Sequence, residues 1–319
     1  TELVPAADNE DKEIQVGELY RLHMRLDSDP LDTPAVSFEY LEGKQVYEIY
    51  QDTDIPEGQK VNVVGIMLEA FNDFTKFDVD IPFNTDIDLY GVWHTLQEEG
   101  YTGRLVTNVF SGGTANTERS FVTGYSSLPE FTETTYSYAW YFRSQGYAVT
   151  GMHAGYEWFY DRNVINPNLG FEEYDFIDNH FKYVTGETTA PKDDVFFPEL
   201  LKQYEEKTQE GTPFFQFSVT YQGHGPFSDS ELLRGETGDY VIPGTIGEAE
   251  QYILENYLGC IYNTNENLRK WTDYFREDDI PVVLVLFGDH NPWLGEGNSV
   301  YKALGIDFNK PGLDGFMDY

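Results

Sequence analysis

Val61-Asn62-Val63-Val64-Gly65-Ile66-Met67-Leu68-Glu69 decides the fold: it is a largely apolar run of strand length that ends in a carboxylate. Apolar residues at odd and even positions alike predict a strand buried on both faces, as in a parallel sheet covered by helices. Working outward, the pattern returns. Residues 147–152 follow a helical segment at 136–144 and lead into His153. Residues 214–220 follow a helical segment at 198–207 and lead to His224, and residues 281–287 follow a long helical stretch at 248–275 and run into Gly288-Asp289-His290. A further strand is expected at 104–110. Strands alternating with helices predict an α/β chain, an α/β/α sandwich around a mixed, mainly parallel sheet, in which ligands bind beyond the carboxyl ends of the strands. All of these strand ends then face one crevice.

Ser111-Gly112-Gly113-Thr114-Ala115-Asn116-Thr117-Glu118 sits between the expected strand at 104–110 and a helix expected at 114–121. A hydroxyl at a helix start meets free N–H groups and the positive end of the dipole, and two glycines let a bulky anion approach the backbone. Thr114 is therefore a candidate for phosphate or sulfate ester chemistry, and it is equally a good N-cap residue. Glu69, Asp289 and His290 supply two carboxylates and an imidazole, a set that suits Mn²⁺ or Zn²⁺ better than Ca²⁺, which prefers all-oxygen shells. Of the six histidines, His23, His94 and His180 lie away from strand ends and read as structural or surface residues.

Composition bounds the setting. The 319 residues carry 56 Asp and Glu against 20 Lys and Arg, a formal charge of −36. Nucleic-acid phosphates would be repelled, and adsorption to anionic lipid is disfavoured. A phosphorylated substrate therefore needs a local positive island. With 40% hydrophobic and 16% aromatic residues the chain is expected to fold, while the acidic residues 1–18 are expected to be mobile. There is no Pro/Ser linker and no internal repeat. The single Cys260 rules out an internal disulfide and falls on an expected buried helix face. No apolar run approaches the ~20 residues of a membrane span.

Gly112-Gly113-Thr114-Ala115-Asn116-Thr117-Glu118, with Leu68-Glu69 and Phe287-Gly288-Asp289-His290, resembles the extracellular catalytic domain of lipoteichoic acid synthases and related phosphoglycerol transferases, members of the alkaline phosphatase and sulfatase superfamily. The likeness extends to His153 with Arg162 nine residues on, and to His224-Gly225-Pro226. Tyr160 stands where those enzymes have Trp, and Arg119-Ser120 where many have Phe-Glu. The resemblance implies that Glu69, Thr114, Asp289 and His290 hold one divalent ion, Mn²⁺ first and Mg²⁺ or Zn²⁺ as alternatives, with Thr114 as nucleophile. It implies His153, Tyr160, Arg162 and His224 as substrate-binding residues.

The implied reaction passes through a phospho-threonine ester. Its donor is a phosphatidylglycerol-type head group, its acceptor a glycolipid or growing polymer, and its place the extracellular face of the cell membrane. A phosphoethanolamine transferase, a phosphodiesterase, a sulfatase-like hydrolase or a catalytically idle binding module are the alternatives. Relatives carry transmembrane helices before this domain and further strands after it. Residues 19–319 are thus expected to be a catalytic ectodomain without its membrane region and its C-terminal portion. Formylglycine sulfatases need Cys or Ser in a Cys/Ser-x-Pro-x-Arg setting, which this chain lacks. Chemistry agrees with the resemblance: a threonine hydroxyl is a poor nucleophile that a divalent cation can activate. Arg162 offers a planar fork to a phosphoryl group, either held by the neighbouring aromatic rings or, in the plainer reading, paired with Asp161 or Glu157. Imidazole titrates near working pH and suits proton transfer.

Overall fold

The computed structural model describes residues 35–41, 44–50, 54–103, 105, 107, 109–125, 127–209, 211–233, 238–277 and 280–308. The expected acidic segment 1–18 and His23 lie outside the described residues. An antiparallel pair, β1 (Ala35–Leu41) and β2 (Lys44–Tyr50), stands apart from the main sheet. That sheet is built from β3 (Asn62–Leu68), β4 (Ala148–Met152), β5 (Glu173–Asp175), β6 (Phe214–Val219) and β7 (Val282–Gly288). Its order is β5-β4-β6-β3-β7 and, among the described residues, every pairing in it is parallel, while the antiparallel pairings are the separate β1–β2 pair and an isolated bridge between Phe83 and Val241.

Strand alternation sends side chains to two cores. Val64, Ile66 and Leu68 of β3 and Phe214 of β6 face one core. It is closed by Phe196, Phe197, Leu200 and Tyr204 of one helix and by Leu254, Tyr257, Leu258, Ile261, Leu268 and Trp271 of another. Met67, Val149, Phe215, Phe217 and Val219 face the opposite core with Val122, Ala139 and Ile165. The helices are α1 (Gly91–Glu99), α2 (Thr114–Thr123), α3 (Tyr138–Ser144), α4 (Arg162–Asn168), α5 (Lys182–Thr185), α6 (Asp193–Thr208), α7 (Glu248–Glu277) and α8 (Ser299–Ala303). α6 and α7 cover the first core and α2, α3 and α4 the second, which makes the α/β/α sandwich.

Local chemistry explains several boundaries. Ser137 ends the approach to α3 by accepting from Trp140 N at 3.1 Å, an N-cap that starts the helix two residues later than the sequence pattern suggested. Gly65 gives Phe217 its place, because a Cβ there would lie 2.9 Å from the ring. Of the strand expected at 104–110, the described residues Leu105, Thr107, Val109 and Phe110 are not in a strand, and Arg104, Val106 and Asn108 lie outside the described residues. Just before α2, Ser111 N–H donates to Asn291 O at 3.0 Å. Cys260 is buried in α7 as expected. Among the described residues no helix is long and apolar enough to cross a membrane.

Candidate functional site

Leu68, the last residue of β3, pairs with Gly288, the last of β7, so Glu69 and Asp289 leave adjacent strands side by side. Two glycines allow the surrounding chain to close in: a Cβ on Gly288 would sit 2.1 Å from Phe71 O, and one on Gly223 would sit 2.0 Å from Glu69 O. Backbone and hydroxyl donors then fix the pair. Glu69 N–H donates to Thr220 Oγ1 at 2.8 Å, and Ala70 N–H donates to Asp289 Oδ1 at 2.7 Å from a left-handed conformation with φ 51°. Thr117 of α2 donates its hydroxyl to Asp289 O at 2.9 Å.

Thr114 is the first residue of α2. The cap position belongs to Gly113, left-handed at φ 79°, and nothing lies within 4 Å of where a Cβ on Gly112 would be. Thr114 therefore does not act as the N-cap. Its Oγ1 donates to Glu69 Oε2 at 3.0 Å and lies 3.3 Å from His290 Nε2. His290 Nδ1 is 3.1 Å from Asn291 O, and as a donor there it turns the Nε2 lone pair inward. Nε2 stands 3.1 Å from Asp289 Oδ2 and 3.4 Å from Glu69 Oε1.

One ligand atom from each of Glu69, Asp289 and His290 lies within 4.8 Å of the others, and all three residues are buried. Asp289 Oδ2 is a buried oxygen that no hydrogen bond satisfies. Two carboxylates and an inward-facing imidazole crowd acceptor lone pairs together, and a divalent cation is the group that satisfies such a set. The residues present fit a metal of the Mn²⁺ or Zn²⁺ kind. Without one, burial pushes the Glu69 carboxyl well above the usual carboxylate range, and Asp289 and Glu118 add to the push while Thr114 and Arg162 oppose it. Burial raises the Asp289 carboxyl as well, against the pull of His290.

The other sequence candidates lie around this centre. His153, one residue beyond β4, is buried; its Nδ1 is 3.1 Å from Val219 O, and its buried Nε2 has no hydrogen-bond partner. Burial pushes its pKa well below the ordinary imidazole value, and Arg162 and His224 push the same way, so the ring is neutral. Tyr221 packs edge-on against His153 at 5.8 Å and stacks on His224 at 4.9 Å.

Arg162 differs from expectation. It is fully buried and pairs with neither Asp161 nor Glu157. Its partner is Glu118, reached from Nε at 2.9 Å and from Nη2 at 2.7 Å, while Nη1 donates to Phe159 O at 3.3 Å. The Tyr160 ring covers the guanidinium at 5.4 Å, as the aromatic neighbours suggested. Glu118 lies four residues after Thr114 on α2, one turn along the same helix face, and that spacing was the available signal for its role. Arg119 donates to Tyr160 O, tying α2 to the loop that carries Arg162. Thr117, Thr220 and Ala70, which orient the carboxylates, had no signal of their own in the sequence. His94 and His180, set aside as structural, sit 2.8 Å from Asp73 and 2.8 Å from Glu199.

Comparison with known proteins follows this geometry. A protein of Rhizobium meliloti (strain 1021) whose name refers to cyclic beta-1,2-glucan modification is 28% identical over 260 residues, 77% of this chain and 37% of that protein. The capsular polysaccharide biosynthesis protein RkpI of the same strain is 25% identical over 261 residues, 78% of this chain and 43% of its own length. The lipoteichoic acid synthase of Staphylococcus aureus (strain USA300) is 27% identical over 176 residues, 52% of this chain and 23% of the synthase. The matched region spans less than half the length of these curated relatives.

Among solved structures, the Streptococcus pyogenes phosphoglycerol transferase GacH, in complex with sn-glycerol-1-phosphate, superposes with TM-score 0.61 at 16% identity, over 81% of this chain and 66% of that one. The lipoteichoic acid synthase LtaP of Listeria monocytogenes gives 0.60 at 18% identity, over 81% and 64%. At such identities these two establish the likeness in fold. The family model described as Sulfatase matches residues 61–311, from the first central strand through the Asp289-His290 pair, and the chain belongs to the sulfatase family.

Proposed function

We propose that the chain is a metal-dependent phosphoglycerol transferase. It acts outside the cell on phosphatidylglycerol-type head groups and passes phosphoglycerol to a glycolipid or growing-polymer acceptor through a phospho-Thr114 ester. The observation that carries this reading is the Thr114 hydroxyl at the start of α2, 3.0 Å from Glu69 Oε2 and 3.3 Å from His290 Nε2. The likeness in fold to a phosphoglycerol transferase that holds glycerol phosphate supports the donor class.

Glu69, Asp289 and His290, with Thr114 Oγ1, would hold the divalent ion, Mn²⁺ first among the alternatives. When bound, the ion supplies positive charge that favours the deprotonated hydroxyl and offsets charge on a phosphoryl oxygen. Thr114 Oγ1 forms the new bond to phosphorus, the bond from phosphorus to the diacylglycerol oxygen breaks, and that oxygen takes a proton and leaves as diacylglycerol. The acceptor hydroxyl then attacks the phospho-threonine, its P–Oγ1 bond breaks, and the acceptor proton ends on Thr114. Arg162 is fixed by Glu118 with one N–H on each terminal nitrogen not taken by its protein bonds, and these can grip phosphoryl oxygens. Neutral His153 carries a buried Nε2 with no hydrogen-bond partner, an acceptor for a substrate hydroxyl. Gly112, with nothing within 4 Å of where a Cβ would be, leaves room beside the helix start for the anion.

The test is incubation with labelled phosphatidylglycerol and Mn²⁺, followed by mass spectrometry of the Thr114 peptide. A phosphoglycerol adduct on that peptide, absent from Thr114→Ala, is the expected result. Diacylglycerol release that persists in Thr114→Ala would reject the covalent route.

A further inference from the structure

The loop from β4 to α4 exposes side chains that a folded chain ordinarily hides. Trp158 is 60% exposed and Tyr156 and Tyr160 are each 37% exposed. The loop is nevertheless fixed. Tyr156 Oη donates to Thr188 O at 2.7 Å, Glu157 N–H donates to Asp178 Oδ2 at 3.0 Å, and Asn163 N–H donates to Glu157 O at 3.0 Å. Tyr160 and Asp161 both hold left-handed backbone, φ 59° and 55°, which side-chain-bearing residues rarely adopt. Such strain persists where the surroundings impose it, and it gathers at binding sites.

The rings form one surface. Tyr156 and Trp158 stack at 5.6 Å with planes 21° apart; Phe159 meets Trp158 edge-on at 5.8 Å and Tyr160 at 4.4 Å. Tyr160 in turn covers Arg162 at 5.4 Å, and Arg162 pairs with Glu118 one helical turn from Thr114, so the ledge adjoins the proposed phosphoryl site.

We infer that the Tyr156–Trp158 ledge is the acceptor subsite and that it takes a neutral sugar ring, of the kind a glucan oligosaccharide presents. This assignment rests on the transferase reading for what lies beside the ledge. An exposed indole face packs against the C–H face of a pyranose by dispersion and apolar contact, while the carboxylates of Glu157 and Asp161 and the amide of Asn163 are nearby partners for its hydroxyls. A membrane surface fits less well. Between Ser144 and Phe181 the only Lys or Arg is the buried Arg162, the neighbouring Arg119 is engaged with Tyr160 O, and the formal charge of −36 disfavours adsorption to anionic lipid.

Titration of the full chain with a neutral β-glucan hexasaccharide, followed by tryptophan fluorescence and calorimetry, tests the assignment. Saturable binding is expected, about tenfold or more weaker in Trp158→Ala and largely recovered in Trp158→Phe, which keeps an aromatic face. Thermal melting checks that both variants are folded. Equal affinity in Trp158→Ala, or no binding by the unmodified chain at millimolar sugar, overturns it. So does Trp158-dependent sedimentation with phosphatidylglycerol–phosphatidylcholine vesicles in the absence of sugar binding, which would make the ledge a lipid contact. Labelling of Thr114 without sugar binding removes the subsite and leaves the transferase reading; sugar binding without labelling does the reverse.

Discussion

Arg162 and Glu118 are both buried, and each is tolerable there only because of the other. The Glu118 carboxylate holds the Arg162 guanidinium above its ordinary value although burial alone would lower it. Removing one partner leaves an unanswered charge, so Glu118→Ala should lose about 3–5 kcal/mol in urea unfolding. Arg162→Lys keeps the charge and loses the fork. It should stay folded and transfer phosphoglycerol at least about tenfold more slowly, measured as diacylglycerol release. An Arg162→Lys rate near that of the unmodified chain would mean that the guanidinium serves the fold alone. The sequence marked Arg162 as a candidate but not its partner, because the contact joins α2 to the start of α4, 44 residues on, and only folding sets that pairing.

At the scale of the element, the site depends on parallel strands ending level. Met67 opposite Val219 in β6 and Leu68 opposite Gly288 in β7 bring Thr220, Glu69 and Asp289 to one edge, and His153 bridges to Val219 from the next strand. Gly288 and Gly223 keep that edge tight, since a Cβ at either would strike a carbonyl oxygen. Gly288→Ala should therefore force the β7 end away from Phe71, lose about 1–3 kcal/mol by overpacking, and weaken Mn²⁺ binding in calorimetry more than the lost stability alone accounts for. Unchanged metal affinity would show that the ligand geometry tolerates the shift. The apolar runs made the strands legible in the sequence. At 105, 107, 109 and 110, the described residues of the strand expected at 104–110, no strand is found, because a short apolar run does not by itself supply a ladder partner.

For the molecule as a whole, stability should fall as pH rises toward neutrality through one buried acid. Asp193, at the start of α6, accepts from Thr264 of α7 at 2.6 Å, and its other oxygen is buried without a partner. Burial raises its pKa from 3.8 to about 7. The folded state therefore holds this proton more tightly than the unfolded chain: the contribution is fully present below pH 3.8 and is lost by about pH 7. The loss is on the order of 4 kcal/mol. Urea midpoints of the unmodified chain should drop from pH 5 to pH 8, and Asp193→Asn should flatten that drop under the same metal loading. An identical drop in both would place the proton elsewhere.

The α/β class and the central strands were legible in the sequence, and Glu69, Asp289 and His290 stood out as candidates, because buried strands leave apolar runs and the polar residues that end them are conspicuous. Folding in three dimensions set the strand order β5-β4-β6-β3-β7, the hold of Glu118 on Arg162, the turn of the Thr114 hydroxyl to Glu69 rather than to capping its helix, and the outward stance of Trp158. Those outcomes depend on strand register, burial and contacts between segments far apart in the chain, and local spacing carries no record of them.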